Sequence, residues 1–277
     1  MTRPRALDLF CKAGGVSVGL DRAGFDVVGV DIEKQPRYPF KFHQADALTF
    51  PLDGFDFIWA SPPCQGYSAM RHAPGAKGPA PQLISDVRHR MPVNAFWAIE
   101  NVEEAAWDMR DPMKLCGSMF GLGAQGCQLQ RHRLVETNFP LSVPACSHDD
   151  RPVVGVYGGH ARRRAASAGG RGTRDVWKGG HKAAASEAMG IDWMTLGELS
   201  EAIPPAYAEF VGCAAMAAVL DKKAQLARHL ADNLELENRL AVVIYVDDGQ
   251  IAGANILMIE ALRHYAIALS RPNHDTK

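Results

Sequence analysis

The chain carries no excess of charge of either sign: 30 Lys and Arg stand against 31 Asp and Glu, for a net charge of −1 over 277 residues. Contact with a polyanion must therefore come from a local basic patch and not from a global field. There is no apolar run of 18 residues or more and no charged-then-apolar leader, so the expectation is a soluble, unexported protein with no membrane contact. The six cysteines, at 11, 64, 116, 127, 146 and 213, include no Cys-x-x-Cys pair. A disulfide framework would be unusual in a chain of this length, which points to reduced thiols in cytoplasm. Cys127, Cys146 and His148 match no common zinc spacing, and no metal is expected. There is no internal repeat. With 47% hydrophobic and 22% charged residues, the chain can bury one substantial core with a small appendage.

From Ala6 to about Asn101, short apolar runs alternate with helix-like stretches. The pattern predicts strands at Ala6–Phe10, Asp26–Asp31, Phe55–Ala60 and Ala95–Glu100, with helices at Val16–Ala23 and Gln82–Arg90. Strands alternating with helices imply an α/β fold with a doubly wound, mostly parallel sheet.

After Pro144 the composition changes. Gly155 to Lys182 holds eight glycines, and between His160 and Lys182 seven Arg or Lys face one Asp. Only Val153–Tyr157 is apolar enough for a strand, and the remainder is expected as surface loops without a core of their own. Arg162, Arg163, Arg164, Arg171, Arg174 and Lys178 suit a segment laid along phosphates. From Ile203 the pattern turns helical behind Pro204-Pro205, proline being favoured in a first turn. The tail beyond Asp221 reads as a charged helix, a strand at Leu240–Val246, a turn at Asp247-Asp248-Gly249 and a last helix near Ile251–Leu269.

The chemistry gathers at strand ends. Phe57-Ile58-Trp59-Ala60-Ser61-Pro62-Pro63-Cys64-Gln65 is an apolar run that stops at two prolines and presents a thiol. A cysteine after a strand is ordinarily a structural one; its company changes the reading. Asp8-Leu9-Phe10 runs through Cys11 into Gly14-Gly15 and a helix, a turn in which a ligand can approach the backbone and an anionic group the helix N-terminus. Asp31 closes the second strand, where an acid accepts hydrogen bonds from ribose hydroxyls. Asp46 follows a third strand, placed to meet an adenine amino group. Glu100 brings a carboxylate to the same sheet edge as Cys64, and Arg131 and Arg133, two apart on an expected strand, point one way toward one pocket.

With these segments in this order, the chain resembles the cytosine-C5 DNA methyltransferases, in the compact form carried by phages and prophages. The resemblance lies in Asp8-Leu9-Phe10…Gly14-Gly15, Asp31, Asp46, Pro63-Cys64-Gln65, Glu100-Asn101-Val102, Arg131-His132-Arg133, Met189–Met194 and Ala202–Tyr207, and spans roughly residues 5 to 220. It implies a Rossmann-like methyltransferase fold and S-adenosylmethionine as cofactor, held by Asp8, Phe10, Gly14, Gly15, Asp31, Asp46 and Pro63. It implies that Cys64 attacks C6 of a flipped cytosine, that Glu100 holds the N3 and amino edge, and that Arg133 and Arg131 orient the base. Asn101 is expected to brace the Cys64 loop.

The implied organisation is a catalytic and cofactor core at 1–139, a small irregular target-recognition segment at 140–188, motifs returning to the core at 189–220 and a tail at 221–277. So thin a recognition segment implies a short or relaxed target sequence. The implied partner is double-stranded DNA, with a restriction endonuclease as companion, for a monomer in the cytoplasm of a bacterial or phage-infected cell. Three positions depart from the family pattern. Lys12 replaces a glycine, which should restrict the cofactor loop; Leu129 replaces a glutamine; and Ser200-Glu201 replaces Gly-Asn. The alternatives are a tRNA cytosine-C5 methyltransferase, whose usual Cys-Phe-Thr signature is absent, and an idle nucleic-acid-binding relative.

Overall fold

The sheet that positions the candidate site is built around central strands buried on both faces. In the computed structural model, which describes residues 2–68, 80–165 and 177–245 with side chains to 233, β1 (Arg5–Leu9), β2 (Asp26–Asp31), β3 (Lys41–Gln44), β4 (Phe57–Ala60) and β5 (Phe96–Asn101) run parallel. Phe57, Ile58, Trp59 and Ala60 are all fully buried, as a parallel strand covered on both faces requires. The helix α1 (Gly15–Arg22) connects β1 to β2, and α2 (Ile84–Arg90) precedes β5.

The seven-stranded sheet has the order β3-β2-β1-β4-β5-β9-β6, where β6 is Met113–Leu115 and β9 is Arg133–Thr137. Strand order reverses between β1 and β4, so the crevice outside their carboxyl ends is the natural ligand position of a doubly wound sheet. Strand β9 alone departs from the parallel rule, running antiparallel to both β5 and β6, so that β6 keeps the direction of β1–β5. Leu7, Leu9, Val28, Val30, Ile58 and Ile99 build the main core. At about 1.5–3 kcal/mol per fully buried large aliphatic side chain, such a cluster dominates the stability of the sheet.

A second, smaller core corrects the expectation of coreless surface loops after Pro144. Strands β7 (Gly123–Ala124), β8 (Cys127–Gln128), β10 (Val153–Tyr157) and β11 (His160–Arg164) form a four-stranded sheet in the order β11-β10-β8-β7. Helices α3 (Gly180–Met189) and α4 (Leu196–Glu201) pack with it, burying Val154, Val156, Ala161, Trp177, Ala184 and Met189. The basic run folds as a strand because Ala161 turns inward while the backbone of His160–Arg164 pairs with Val153–Tyr157. Arg171 and Arg174 lie outside the described residues.

Helix α5 runs Pro205–Tyr245, and the first of two compact units, Met1–Met216, ends within it. The strand expected at Leu240–Val246 is helical as far as Tyr245. A short run of β-branched apolar residues does not distinguish a strand from a helical segment. The turn and helix expected beyond it lie outside the described residues. Among the described residues no helix is long and apolar enough to cross a membrane.

Candidate active site

At the carboxyl ends of β1, β2, β4 and β5 a cleft opens that is lined by Asp8, Phe10, Asp31, Pro63, Cys64, Glu100 and Arg133. Each side chain arrives by a local device. Strand β4 stops at Pro62-Pro63, and the Cys64 carbonyl accepts the N–H groups of Tyr67 and Ser68 at 3.0 and 2.9 Å, so the thiol opens a turn. The Asn101 amide donates to the Pro62 carbonyl at 3.0 Å, tying the end of β5 to the backbone beside that turn.

Glu100 is buried, and burial pushes its carboxyl up from the ordinary value despite the nearby Arg133. Arg133 Nε stands 3.0 Å from Glu100 Oε1. Ser61, which sequence reasoning missed, accepts the Trp59 indole N–H at 2.8 Å and directs its own hydroxyl at Glu100. Burial also raises the Cys64 thiol, Glu100 raises it further, and the two arginines oppose both.

The cofactor half of the cleft is built on β1 and β2. Asp31 takes the Lys12 N–H on Oδ2 at 3.0 Å and the Glu33 N–H on Oδ1 at 2.9 Å, which aims a rigid carboxylate at the crevice. Asp8 is fully buried; Ser17 donates to Oδ2 at 2.5 Å, and Oδ1 has no partner among the described residues. Burial pushes the Asp8 carboxyl up to about 7. Lys12, which stands where the family pattern has a glycine, adopts φ 46 and Phe10 adopts φ 62, both left-handed. That conformation costs an L-residue roughly 1–2 kcal/mol, and here it delivers the N–H that holds Asp31. Lys12 Nζ meets Glu33 at 3.1 Å and Glu201 at 3.8 Å across the cleft mouth.

Gly14 caps α1 at φ 87, and Gly15 lines the cleft. A Cβ on Gly15 would overlap the Ile203 carbonyl oxygen, so only glycine lets the returning chain lie this close. That returning chain brings Met194 and Ile203 into the cleft wall, and the Trp193 indole donates to the Ala13 carbonyl at 2.9 Å. The motifs at 189–207 are recognisable as sequence, but nothing in them signals which side chains face the cleft.

Other expected site residues fall elsewhere. Asp46 is exposed beyond β3, where its Oδ1 accepts the Leu48 N–H at 2.8 Å. Arg131 precedes β9, contrary to the expectation of two arginines on one strand. Its guanidinium donates to the carbonyls of Val156 at 2.5 Å and Ser200 at 2.8 Å, while its own carbonyl accepts the Tyr207 hydroxyl at 2.7 Å. Withdrawal of that guanidinium from water pushes it down to about 9, so it stays cationic at neutral pH. Arg162 and Arg164 share one face of β11 and Arg163 takes the other, while Lys178 is exposed before α3.

The strand-end acids, the thiol after β4 and the glycine turn all fall within residues 5–105, which match the family model of the C-5 cytosine-specific DNA methylases. Among solved structures the chain is similar to a prophage-encoded protein of E. coli described as a DNA modification methyltransferase, at 15% identity and a TM-score of 0.48, over 79% of this chain and 99% of that one. The methyltransferase EhMeth of Entamoeba histolytica is similar at 10% identity and a TM-score of 0.47, over 80% of this chain and 99% of that one. The Dnmt2 methyltransferase of S. pombe is similar at 17% identity and a TM-score of 0.34, over 51% of this chain and 52% of that one. No curated protein matches. Arg133 and the returning chain complete the cleft from outside the matched segment.

Proposed function

We propose that the protein methylates C5 of cytosine in double-stranded DNA through a covalent adduct between Cys64 and C6 of a flipped base. The observation that carries this reading is that Cys64, Glu100 and Arg133, from three separated parts of the chain, line one cleft with Asp8 and Asp31. The cofactor is S-adenosylmethionine. Its polar groups suit the orphaned Oδ1 of Asp8, the backbone-held carboxylate of Asp31 and the amino end of α1. When bound, it supplies an electrophilic methyl group.

Cytosine C5 is a poor nucleophile until the ring has been activated by addition at C6. Cys64 adds there as thiolate. Glu100, whose carboxyl burial pushes up from the ordinary value, takes a proton as the base enters, donates it to N3 and accepts from the exocyclic amine, and so holds the charge that builds in the ring. Arg133 orients Glu100 and the base edge. Once C5 is methylated, loss of its proton re-forms the C5–C6 double bond and expels the Cys64 thiolate. Asn101 keeps the Pro62-Pro63-Cys64 turn in place through the Pro62 carbonyl. Because a stacked duplex shields C5 and C6, the base must leave the helix.

Target recognition falls to residues 140–188, with Arg162, Arg163, Arg164, Arg171, Arg174 and Lys178 contacting phosphates and reading a short or relaxed site. The working form is a monomer in the cytoplasm, with a restriction endonuclease as its companion.

Transfer of labelled methyl groups from S-adenosylmethionine to DNA and to tRNA, wild type against Cys64→Ser, tests this. Label in DNA with wild type alone is the expected result. Label in tRNA alone, or in neither substrate, overturns it. Bisulfite sequencing of DNA from expressing cells then reads the target, and one long, strict site would refute the relaxed recognition.

A further inference from the structure

Four side chains from three stretches of chain converge next to the start of β9. Cys116 is buried at the start of a 3-10 turn (Gly117–Phe120), His132 sits immediately before β9, and Cys146 and His148 project from the stretch between β9 and β10. The two sulfurs and one ring nitrogen from each histidine all lie within 4.8 Å of one another. Cys146 Sγ is 3.0 Å from His148 Nε2, Cys116 Sγ is 3.2 Å from the same nitrogen, and Cys146 Sγ is 3.5 Å from His132 Nε2. A tetrahedral zinc ion with Zn–S near about 2.3 Å and Zn–N near about 2.0 Å has S···N edges of about 3.5 Å. The donors are therefore spaced nearly as they would be around one ion.

The surroundings fit as well. His132 turns Nε2 inward because its Nδ1 is held by Glu103 Oε2 at 3.0 Å, the carboxylate–histidine pairing that fixes the tautomer of a metal-bound imidazole. Glu103 is steadied in turn by Lys114 Nζ at 2.7 Å. The Ser118 hydroxyl lies 3.1 Å from Cys116 Sγ, placed to donate to a thiolate. The His132 and His148 rings stack with centroids 5.3 Å apart.

We infer that Cys116, His132, Cys146 and His148 form a structural zinc site. Two thiolates and two neutral imidazoles make a closed donor set of the kind that favours zinc and leaves no position for substrate. Binding releases the thiol protons to solvent. The stretch 140–149 has no regular secondary structure and is mostly exposed, Leu141 being buried and Val143 half-buried. An ion held by Cys146 and His148 would pin that stretch to His132, whose carbonyl accepts from Arg133 Nη1 at 2.7 Å. Zinc binding at these four residues is independent of the methyltransferase reading. Cys127, considered from sequence as a ligand, lies instead in the core of the small sheet.

The test is the metal content of the untagged chain, equilibrated with equimolar zinc, desalted and measured by mass spectrometry. About one zinc per chain is expected. Cys146→Ser and His148→Ala, both at exposed positions, should fall below about a tenth of an equivalent, and the exposed Cys213→Ser should keep the wild-type content. Cobalt(II) added to the chelator-stripped wild type should give the intense visible bands of a tetrahedral ion with sulfur-to-cobalt charge transfer. This second readout does not depend on any variant folding. The competing arrangement is a hydrogen-bonded cluster in which the Cys116 thiol donates to the Gln130 carbonyl at 3.5 Å. Wild type without zinc, variants that hold as much zinc as wild type, or a weak octahedral cobalt spectrum would each overturn the zinc site.

Discussion

Arg133 Nε lies 3.0 Å from Glu100 Oε1, with both side chains largely withdrawn from water. A pair of this kind adds little net stability when intact but leaves an uncompensated charge when one partner is removed. Arg133→Ala should therefore cost about 3–5 kcal/mol at neutral pH, read as a lower urea midpoint. Adding Glu100→Gln should restore part of the loss, since the stranded carboxylate is then gone. Equal stability of the single and double variants would contradict this account.

The Cys64 thiol should titrate above a free cysteine, because burial and then Glu100 raise it more than Arg133 and Arg131 lower it. Glu100→Gln should move the midpoint of Cys64 alkylation to lower pH, and Arg133→Ala should move it higher. Alkylation rates resolved by peptide mass spectrometry across a pH series separate Cys64 from the other cysteines.

Burial pushes Asp8 up to about 7 in the folded chain, against about 3.9 in an unfolded one. Between those values the native state binds the extra proton. The contribution of Asp8 to stability is therefore complete below about pH 4 and is lost as the pH rises to about 7. Asp8→Asn cannot ionise, so its stability relative to wild type should rise from about pH 4 to 7 and level off above about 7. Urea denaturation of both proteins across that range checks the slope, and a constant difference would show that Asp8 does not titrate there.

Two glycines in helices should respond to alanine with opposite signs. Relative to glycine, alanine in a helix interior stabilises by roughly 0.5–1 kcal/mol. At Gly197 in α4 an added Cβ meets nothing within 4 Å, so Gly197→Ala should gain that amount. At Gly19 in α1 the Cβ would overlap the Pro205 carbonyl oxygen and stand 2.7 Å from the Glu209 nitrogen. Gly19→Ala should instead lose about 1–3 kcal/mol, since backbone must shift to admit the methyl group. Chemical denaturation of the two variants decides the signs.

The legible parts of the sequence are those where one physical pattern acts alone. Asp26–Asp31 is a continuous apolar run closed by an acid, and its strand has those same bounds. Cys64, Glu100 and Asp31 stand out because each follows such a run. Strands β7 and β8, at two residues each, are too short to show any period. Strand β11 is hidden by its three arginines: alternation needs only Ala161 to point inward, and composition masks that single residue. Arg131 is misplaced by its spacing because two residues apart implies a shared face only if both lie on the strand, and β9 begins at Arg133. Cys116, His132, Cys146 and His148 follow no common ligand spacing, since the chain passes through two sheets between them.

Strand β9 pairs with β5 in opposite directions, Asn101 facing Leu134 and Glu100 facing Val135. The edge of the sheet where β5 ends is therefore where β9 begins. A parallel neighbour would bring Thr137 to that edge and leave Arg133 at the far end. Reversing one strand lets the exit of one segment and the entrance of another furnish opposite charges to a single point. The polarity of a backbone, as much as the identity of a side chain, decides which ions can meet there.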